Sequence, residues 1–333
     1  MIGLIIMGLL AGIVTPFETA ANTKAGKRMG HSLWGTFLSF SVGTIVLVFL
    51  VLIVDHGIHI PFEEVPYQPW WIWTGGIFGI IYVFGNIILM PKIGSMQTII
   101  FPLLGQVTTG LIVDHFGLFR SNITYATPER IIGVVLVFVG VVLASADIKK
   151  RNAADAPAAD VSDVSPSYTI AADTAPHKQN GFITWLWRLF GIFIGCISTT
   201  QIAINGYLGD VLGSSFLSAL ISFAVGTIGL IIIIAIVRPR FIMKKGDKVK
   251  TPWWMWTGGF MGAYVVFSFA YLAPLIGTGV LVIVSQLGMT LASVIIDHFG
   301  IWGSAVKRIN ALKVIGLILM IAGAVLINLV YMR

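Results

Sequence analysis

The residue types best able to do chemistry in this chain are gathered in one stretch, Gly12-Ile13-Val14-Thr15-Pro16-Phe17-Glu18-Thr19-Ala20-Ala21-Asn22. It falls inside the first long apolar segment, and Glu18 is the only acid deep within any such segment. A carboxyl group at membrane depth costs at least about 2.5 kcal/mol on insertion scales, which makes it a functional candidate by default. Thr15, Glu18 and Asn22 follow one another at i, i+3 and i+7, so a helix carries all three on one face. Pro16 removes a backbone donor two residues before the acid and is expected to kink the helix and free a carbonyl there. A proton and a cation would compete for such a carboxylate, because desolvation disfavours its charge and a bound cation favours it. That competition is the chemistry of a proton-coupled carrier. The plainer reading is an acid near a helix end that hydrogen-bonds to Thr15.

The rest of the composition says what surrounds this group. Hydrophobic residues make up 57% of the chain and charged residues 11%, with mean hydropathy +0.93. Soluble domains carry roughly 25% charged residues, so this is the composition of a polytopic membrane protein. The net charge of +7 does not point to nucleic acid, because the basic residues fall in short loops beside the apolar runs. The six histidines form no HxxxH or HExxH pair, and the single Cys196 excludes a disulfide framework or a cysteine metal site within one chain. No Walker A loop and no GxSxG motif occurs. No enzymatic activity, cofactor or metal is expected; the expected partners are the lipid bilayer, a small-molecule substrate and protons.

A bilayer core of about 30 Å needs roughly 20 apolar residues per helix. The runs that qualify are about 2–21, 32–54, 70–91, 96–116 and 130–147, then 183–207, 214–237, 253–274, 277–299 and 312–331. The first resembles a signal peptide with a small-residue cleavage site. No basic residue precedes it, however, and the same segment recurs in mid-chain, so it is read as a span. Residues 148–181 are rich in Ala, Asp, Ser and Pro and read as a disordered cytoplasmic linker. The expected organisation is a first five-helix repeat over 1–147, this linker, and a second five-helix repeat over 182–333.

The two halves are copies. Ser39-Phe40-Ser41-Val42-Gly43-Thr44 matches Ser222-Phe223-Ala224-Val225-Gly226-Thr227, and Pro69-Trp70-Trp71-Ile72-Trp73-Thr74-Gly75-Gly76 matches Pro252-Trp253-Trp254-Met255-Trp256-Thr257-Gly258-Gly259. Asp114-His115-Phe116-Gly117 matches Asp297-His298-Phe299-Gly300, and the offset is 183 in every case (222 − 39, 252 − 69, 297 − 114). An odd number of spans per copy should send the second copy through the membrane upside down. With the N-terminus outside, 18 of the 21 lysines and arginines fall in inner loops, leaving Arg120, Arg130 and Arg333 outside. The positive-inside rule selects that orientation, a multi-pass cell-membrane protein with both termini outside. The predicted fold is therefore all-α, ten transmembrane helices in two inverted five-helix repeats. Many secondary transporters are built this way, with the substrate near the midplane at the repeat interface.

The pattern G-x5-[EQ]-x3-N, SFxVGT, PWWxWTGG and [IV]-DHFG resembles the YdcZ-like family, itself similar to the small multidrug resistance transporters and part of the drug/metabolite transporter superfamily. Nearly everything except the linker resembles two such units fused. The resemblance implies that the first four helices of each unit line a cavity and the fifth is peripheral. It also implies that family members usually carry Gln at the acid position, as Gln201 does in Gly195-x5-Gln201-x3-Asn205. Glu18 then stands where the related small multidrug transporters bind protons and cations.

Other candidates follow from pattern. Tyr82 and Asn86 continue the stripe of Gly75 and Gly79, whose small size allows close helix approach. The second half has Val265 and Phe269 there, with Tyr264 on a neighbouring face, so the polar lining is asymmetric. Gln106 has Met289 as its copy, and Gln286 one turn away can replace it; intramembrane amides serve either as helix–helix glue or as substrate contacts. Asn205 and Gln201 complete the set. The six tryptophans of the PWWxWTGG motifs are expected to anchor at the headgroup level. Asp114-His115 and Asp297-His298 are expected near water at helix ends, as caps or gates. Together the residues imply a secondary active transporter of a small organic cation or an aromatic or amphipathic metabolite, proton-coupled through Glu18. The alternative is an uncoupled facilitator or channel for a small neutral metabolite.

Overall fold

Apolar runs of this length have no water to bond with in a bilayer, so each must close its own backbone hydrogen bonds as a helix. The computed structural model describes residues 1–61, 63, 65–145, 181–242, 252–301 and 309–331. Among these residues the elements are α1 (Ile2–Arg28), α2 (Ser32–Val54), α3 (Gly75–Phe116), α4 (Pro128–Ser145), α5 (Gly181–Leu212), α6 (Ser215–Val237), α7 (Gly258–Ile276), α8 (Thr278–Phe299) and α9 (Ala311–Tyr331). No strand occurs among them. The disordered linker expected over 148–181 lies, except for Gly181, outside the described residues.

Nine elements carry ten runs because α3 is broken at Gly94 (φ 80°, ψ 166°), which separates two apolar limbs, Trp70–Leu89 and Gln97–Phe116. The copy of this glycine is Gly277 (φ 83°, ψ 148°), which separates α7 from α8. A positive φ with extended ψ is open essentially to glycine alone, so one residue type at one repeat position makes the same break in both units. The tryptophans of each PWWxWTGG motif form short 3-10 turns, Trp70–Thr74 and Trp253–Trp256, ahead of α3 and α7. Trp70 and Trp253 stand exposed, as headgroup anchors should, but Trp71 turns inward against Phe119 and Tyr207.

One boundary expectation is corrected, and Pro16 ends no helix. α1 does not stop near residue 21: its 27 residues, about 40 Å at 1.5 Å per residue, continue through Lys24, Lys27 and Arg28. The basic loop is thus largely the last turns of a helix, where cations also face its negative end. α1 also runs unbroken through Pro16, which is buried within it, so the expected kink gives no break in the helix.

The units pack with a two-fold relation. α1 of the first unit lies on α8 and α7 of the second, and α5 lies on both limbs of α3 in return. α2 pairs with its own copy α6, and there Thr44 Oγ1 meets Thr227 Oγ1 at 3.1 Å while the Phe40 and Phe223 rings stack at 5.0 Å. The pairs 44/227 and 40/223 are each one residue and its 183-offset copy, which is what residues on a two-fold axis do. α4 and α9 pair with one another to one side, the peripheral place expected for the fifth helix of each unit. Close approach is set by glycine: a Cβ on Gly12 would overlap the Ser285 carbonyl, and one on the copy Gly195 would overlap the Pro102 carbonyl. The glycine of each G-x5-[EQ]-x3-N motif therefore seats its helix on the opposite unit.

Candidate functional site at the interface of the units

Six residues after Gly12, the face of α1 that bears Glu18 and Asn22 meets α7. Gly258 and Gly262 lie one turn apart on α7 and leave the space that this face fills. A Cβ on Gly258 would overlap the Asn22 carboxamide oxygen, and one on Gly262 would lie 2.8 Å from Glu18 Oε1. Asn22 Nδ2 donates to Glu18 Oε1 at 3.3 Å. Thr15 does not take part in that pairing, because its hydroxyl donates to the Ala11 carbonyl at 3.0 Å, one turn back on its own helix. Among the described residues no ion pair forms on Glu18.

The mirrored arrangement holds amides. Gly75 and Gly79 on α3 receive Asn205 and Gln201 of α5, with Gln201 Nε2 2.9 Å from where a Cβ on Gly79 would be. Here Asn205 turns to α6: its Nδ2 donates to Ser222 Oγ at 3.2 Å, and Ser218 Oγ donates to its backbone carbonyl at 2.6 Å. The glycine stripe noted in the sequence is thus the seat for the polar motif of the opposite unit. The difference between the seats is one functional group: where the acid is present, the asparagine bonds to it.

Beside Glu18 runs a cleft of about 280 Å³, counting its open mouth, lined by Tyr82, Asn86, Thr98, Ile99, Pro102, Leu103, Gln106, Gln286 and Met289. It brings together four of the sequence-predicted residues: Tyr82, Asn86, Gln106 and Gln286. Gln106 Nε2 donates to the Tyr82 hydroxyl at 3.4 Å and to Ser198 Oγ at 3.2 Å, while Thr199 Oγ1 donates to the Gln106 carbonyl at 3.0 Å. Asn86 Nδ2 donates to the Tyr82 carbonyl at 2.9 Å. Gln286 and Met289 enter from α8, so the amide opposite Gln106 is displaced by one turn and the copy position holds a thioether. Glu18 is not among the residues that line the cleft; Tyr82, which is, lies within electrostatic reach of it. Tyr264 is half-buried on α7, and among the described residues no hydrogen bond ties it to this cluster. Ser198 and Thr199 were not among the sequence candidates; the run Ser198-Thr199-Thr200 one turn before Gln201 is the signal that could have found them.

The DHFG aspartate has another task. Asp114 is fully buried rather than near water, and it caps a helix of the opposite unit. Its Oδ1 accepts from Thr278 N at 2.9 Å, and its Oδ2 accepts from Gly279 N at 3.0 Å and from Arg130 NH2 at 2.9 Å. Arg130, 1% exposed, also donates through NH1 to the Thr124 carbonyl at 2.7 Å. Break and cap belong together: Gly277 frees the first N–H groups of α8, and Asp114 satisfies them. At the copy positions Asp297 and Lys313 are also buried.

Two equivalent units of apolar helices with a polar cleft between them are the layout of a membrane transporter, and the family match makes the protein a transporter rather than an enzyme. The family model described as "Putative inner membrane exporter, YdcZ" matches residues 3–143 and again 186–326, so the chain belongs to this family and carries its unit twice. The two matches are themselves offset by 183 residues (186 − 3). None of the curated proteins matches. A solved crystal structure shares the fold with a TM-score of 0.64 and 14% identity, over 98% of this chain and 95% of the other.

Proposed function

We propose that the protein is a secondary active transporter that moves a small organic cation or an aromatic or amphipathic metabolite, coupled to protons through Glu18. The carrying observation is Glu18 itself: a carboxyl group at the unit interface, bonded by Asn22 and, among the described residues, without an ion pair to a cationic side chain. In a low-dielectric site such a group has to be neutralised, by a proton or by a cationic substrate. Either occupant excludes the other, and that exclusion is the coupling step. Tyr82, Asn86, Gln106 and Gln286 offer neutral donors and acceptors along the cleft, and Met289 an apolar contact, which suits an amphipathic substrate.

The charge split of the loops supports an inverted arrangement with both termini outside. In that orientation the first limb of α3 runs inward, so Asn86 and Thr98 lie deeper than Tyr82 and Gln106. The cleft then belongs to the cytoplasmic half, and rocking of one unit against the other would give alternating access. The facilitator reading keeps one observation in its favour: the mirrored seat is neutral, held by Gln201 and Asn205.

The test is purified protein in liposomes with an imposed pH gradient, challenged with a panel of organic cations and neutral metabolites. Substrate-dependent proton flux and accumulation against the substrate gradient are expected. Equilibration of substrate without proton flux would establish the facilitator instead. For orientation, cysteines in the 55–66 loop should react with an impermeant maleimide on intact cells, and cysteines in 241–250 only after permeabilisation; the reverse pattern would overturn the topology.

A further inference from the structure

The two-fold relation makes any feature built on one side only conspicuous, and among the described residues one such feature lies at the Arg120 end of the interface. Arg120 NH1 donates to the Tyr207 hydroxyl at 2.7 Å, and its guanidinium stands 5.4 Å from the centroid of the same ring. Tyr207 OH donates in turn to Gln68 Oε1 at 2.6 Å. Asn122 Nδ2 donates to the Pro274 carbonyl at 2.7 Å. Every one of these bonds crosses from the first unit to the second. Trp71 packs edge-on against Phe119 at 5.4 Å and tilted against Tyr207 at 5.8 Å.

None of the polar members has a copy. At the 183-offset positions Gln68 is replaced by Thr251, Arg120 by Gly303, Asn122 by Ala305 and Tyr207 by Lys24. Contacts that hold the scaffold are kept in both units, as the glycine seats and buried aspartates are. The side chains that make this one occur once in the sequence.

The backbone gives a second, independent sign. Phe119 (φ 55°) and Arg120 (φ 58°) are consecutive non-glycine residues in the left-handed region. Side chains rarely adopt it, and the second unit has glycine at the position of Arg120, where a left-handed backbone carries no penalty. Strain of this kind persists where the surroundings impose it and tends to mark gates and switches. Here it aims the Arg120 guanidinium at Tyr207. Beneath the bridge is a cavity of about 260 Å³, whose lining includes Ala203, Gly206, Asp210 and Ala273.

We propose that Arg120, Tyr207, Gln68 and Asn122 form the latch of the outer gate: they hold the units together at this end while the cleft is open at the other, and they part when access alternates. The latch rests on the alternating-access reading, with Arg120 as a positioning residue that touches no substrate. Its side chains have no counterparts at the copy positions, so the outer gate has a polar contact set of its own, whereas at the inner end Arg188 Nε donates to Gln97 Oε1 at 2.9 Å.

The test reads accessibility and needs neither substrate nor transport. In a Cys196→Ser background, Ala203→Cys places a thiol under the latch, to be labelled on intact cells with a membrane-impermeant maleimide. Arg120→Gly, which copies Gly303 and relieves the backbone, is expected to speed labelling about tenfold or more. Tyr207→Phe, which keeps the ring but loses both hydroxyl bonds, is expected to speed it a few-fold. Ala273→Cys serves as a second reporter, and Tyr207→Phe carries the test if Arg120→Gly folds poorly. Unchanged labelling at both reporters in a folded Tyr207→Phe protein would overturn the latch, and labelling of the parent as fast as that of the variants would do the same. Slow labelling in every variant of a protein that shows coupled transport would defeat the latch alone. Accelerated labelling in a protein that moves no substrate against a gradient would leave the latch and defeat the coupled-transport reading.

Discussion

The two units of this protein share a scaffold and differ in their chemistry, and the differences sort cleanly by place. Where the units seat on each other they agree: Gly12 and Gly195 on opposing carbonyls, Gly258 and Gly75 against Asn22 and Asn205, Gly94 and Gly277 at the breaks. Where a solute or a gate would act they disagree: Glu18 against Gln201, Gln106 against Met289, Tyr82 against Val265, Arg120 against Gly303. The lesson is that duplication supplies a two-fold interface, and single substitutions within it make its two sides chemically unlike. A symmetric pair of acids would offer two equivalent proton sites; one acid offers one.

The comparison is strained most by removing a shared element. Asp114→Ala leaves buried Arg130 without its counter-ion and the α8 N–H groups without a cap, a loss of about 3–5 kcal/mol for breaking one side of a buried pair. Asp297→Ala should fall in the same range, because Asp297 and Lys313 are buried at the copy positions. Thermal melting in detergent would check both; a large loss from one and none from the other would show that the units are not equivalent scaffolds. Gly258→Val and Gly75→Val drive a branched side chain into an asparagine carboxamide, and each should cost about 1–3 kcal/mol, the usual range for overpacking. Similar losses would confirm that these seats are structural in both units. Tyr82→Phe sharpens the other side of the comparison. It removes the hydroxyl that accepts from Gln106, so the fold should lose no more than about 0.5–1.5 kcal/mol, while substrate binding weakens up to about tenfold because a donor lining the cleft is gone.

Much of this was legible before any coordinates. The 183-residue offset carries the architecture, because one register held over most of the chain implies two copies of a single fold, and apolar runs admit only helices in a bilayer. Glu18 was legible as an isolated acid, and Tyr82, Asn86, Gln106 and Gln286 as polar residues in apolar runs. What stayed hidden depends on the other unit. Nothing near Gly262 in sequence says that it faces Glu18, and the Asp-His ending of α3 gives no sign that its carboxylate caps α8. Arg120 and Tyr207 are 87 residues apart and of unlike type, so no repeat or spacing rule pairs them.

The central claim is that one carboxyl group, present in one unit and replaced by an amide in the other, couples the transporter to protons. Glu18→Gln gives the first seat the residue found at Gln201, keeping size and hydrogen-bonding capacity while removing the exchangeable proton. Reconstituted in liposomes beside the parent, with substrate-driven proton flux and accumulation read across pH, the variant should melt like the parent and retain downhill flux at most. It should lose both proton flux and pH-dependent accumulation. Undiminished accumulation with the parent's pH dependence would contradict the account and make Glu18 a structural residue of a facilitator.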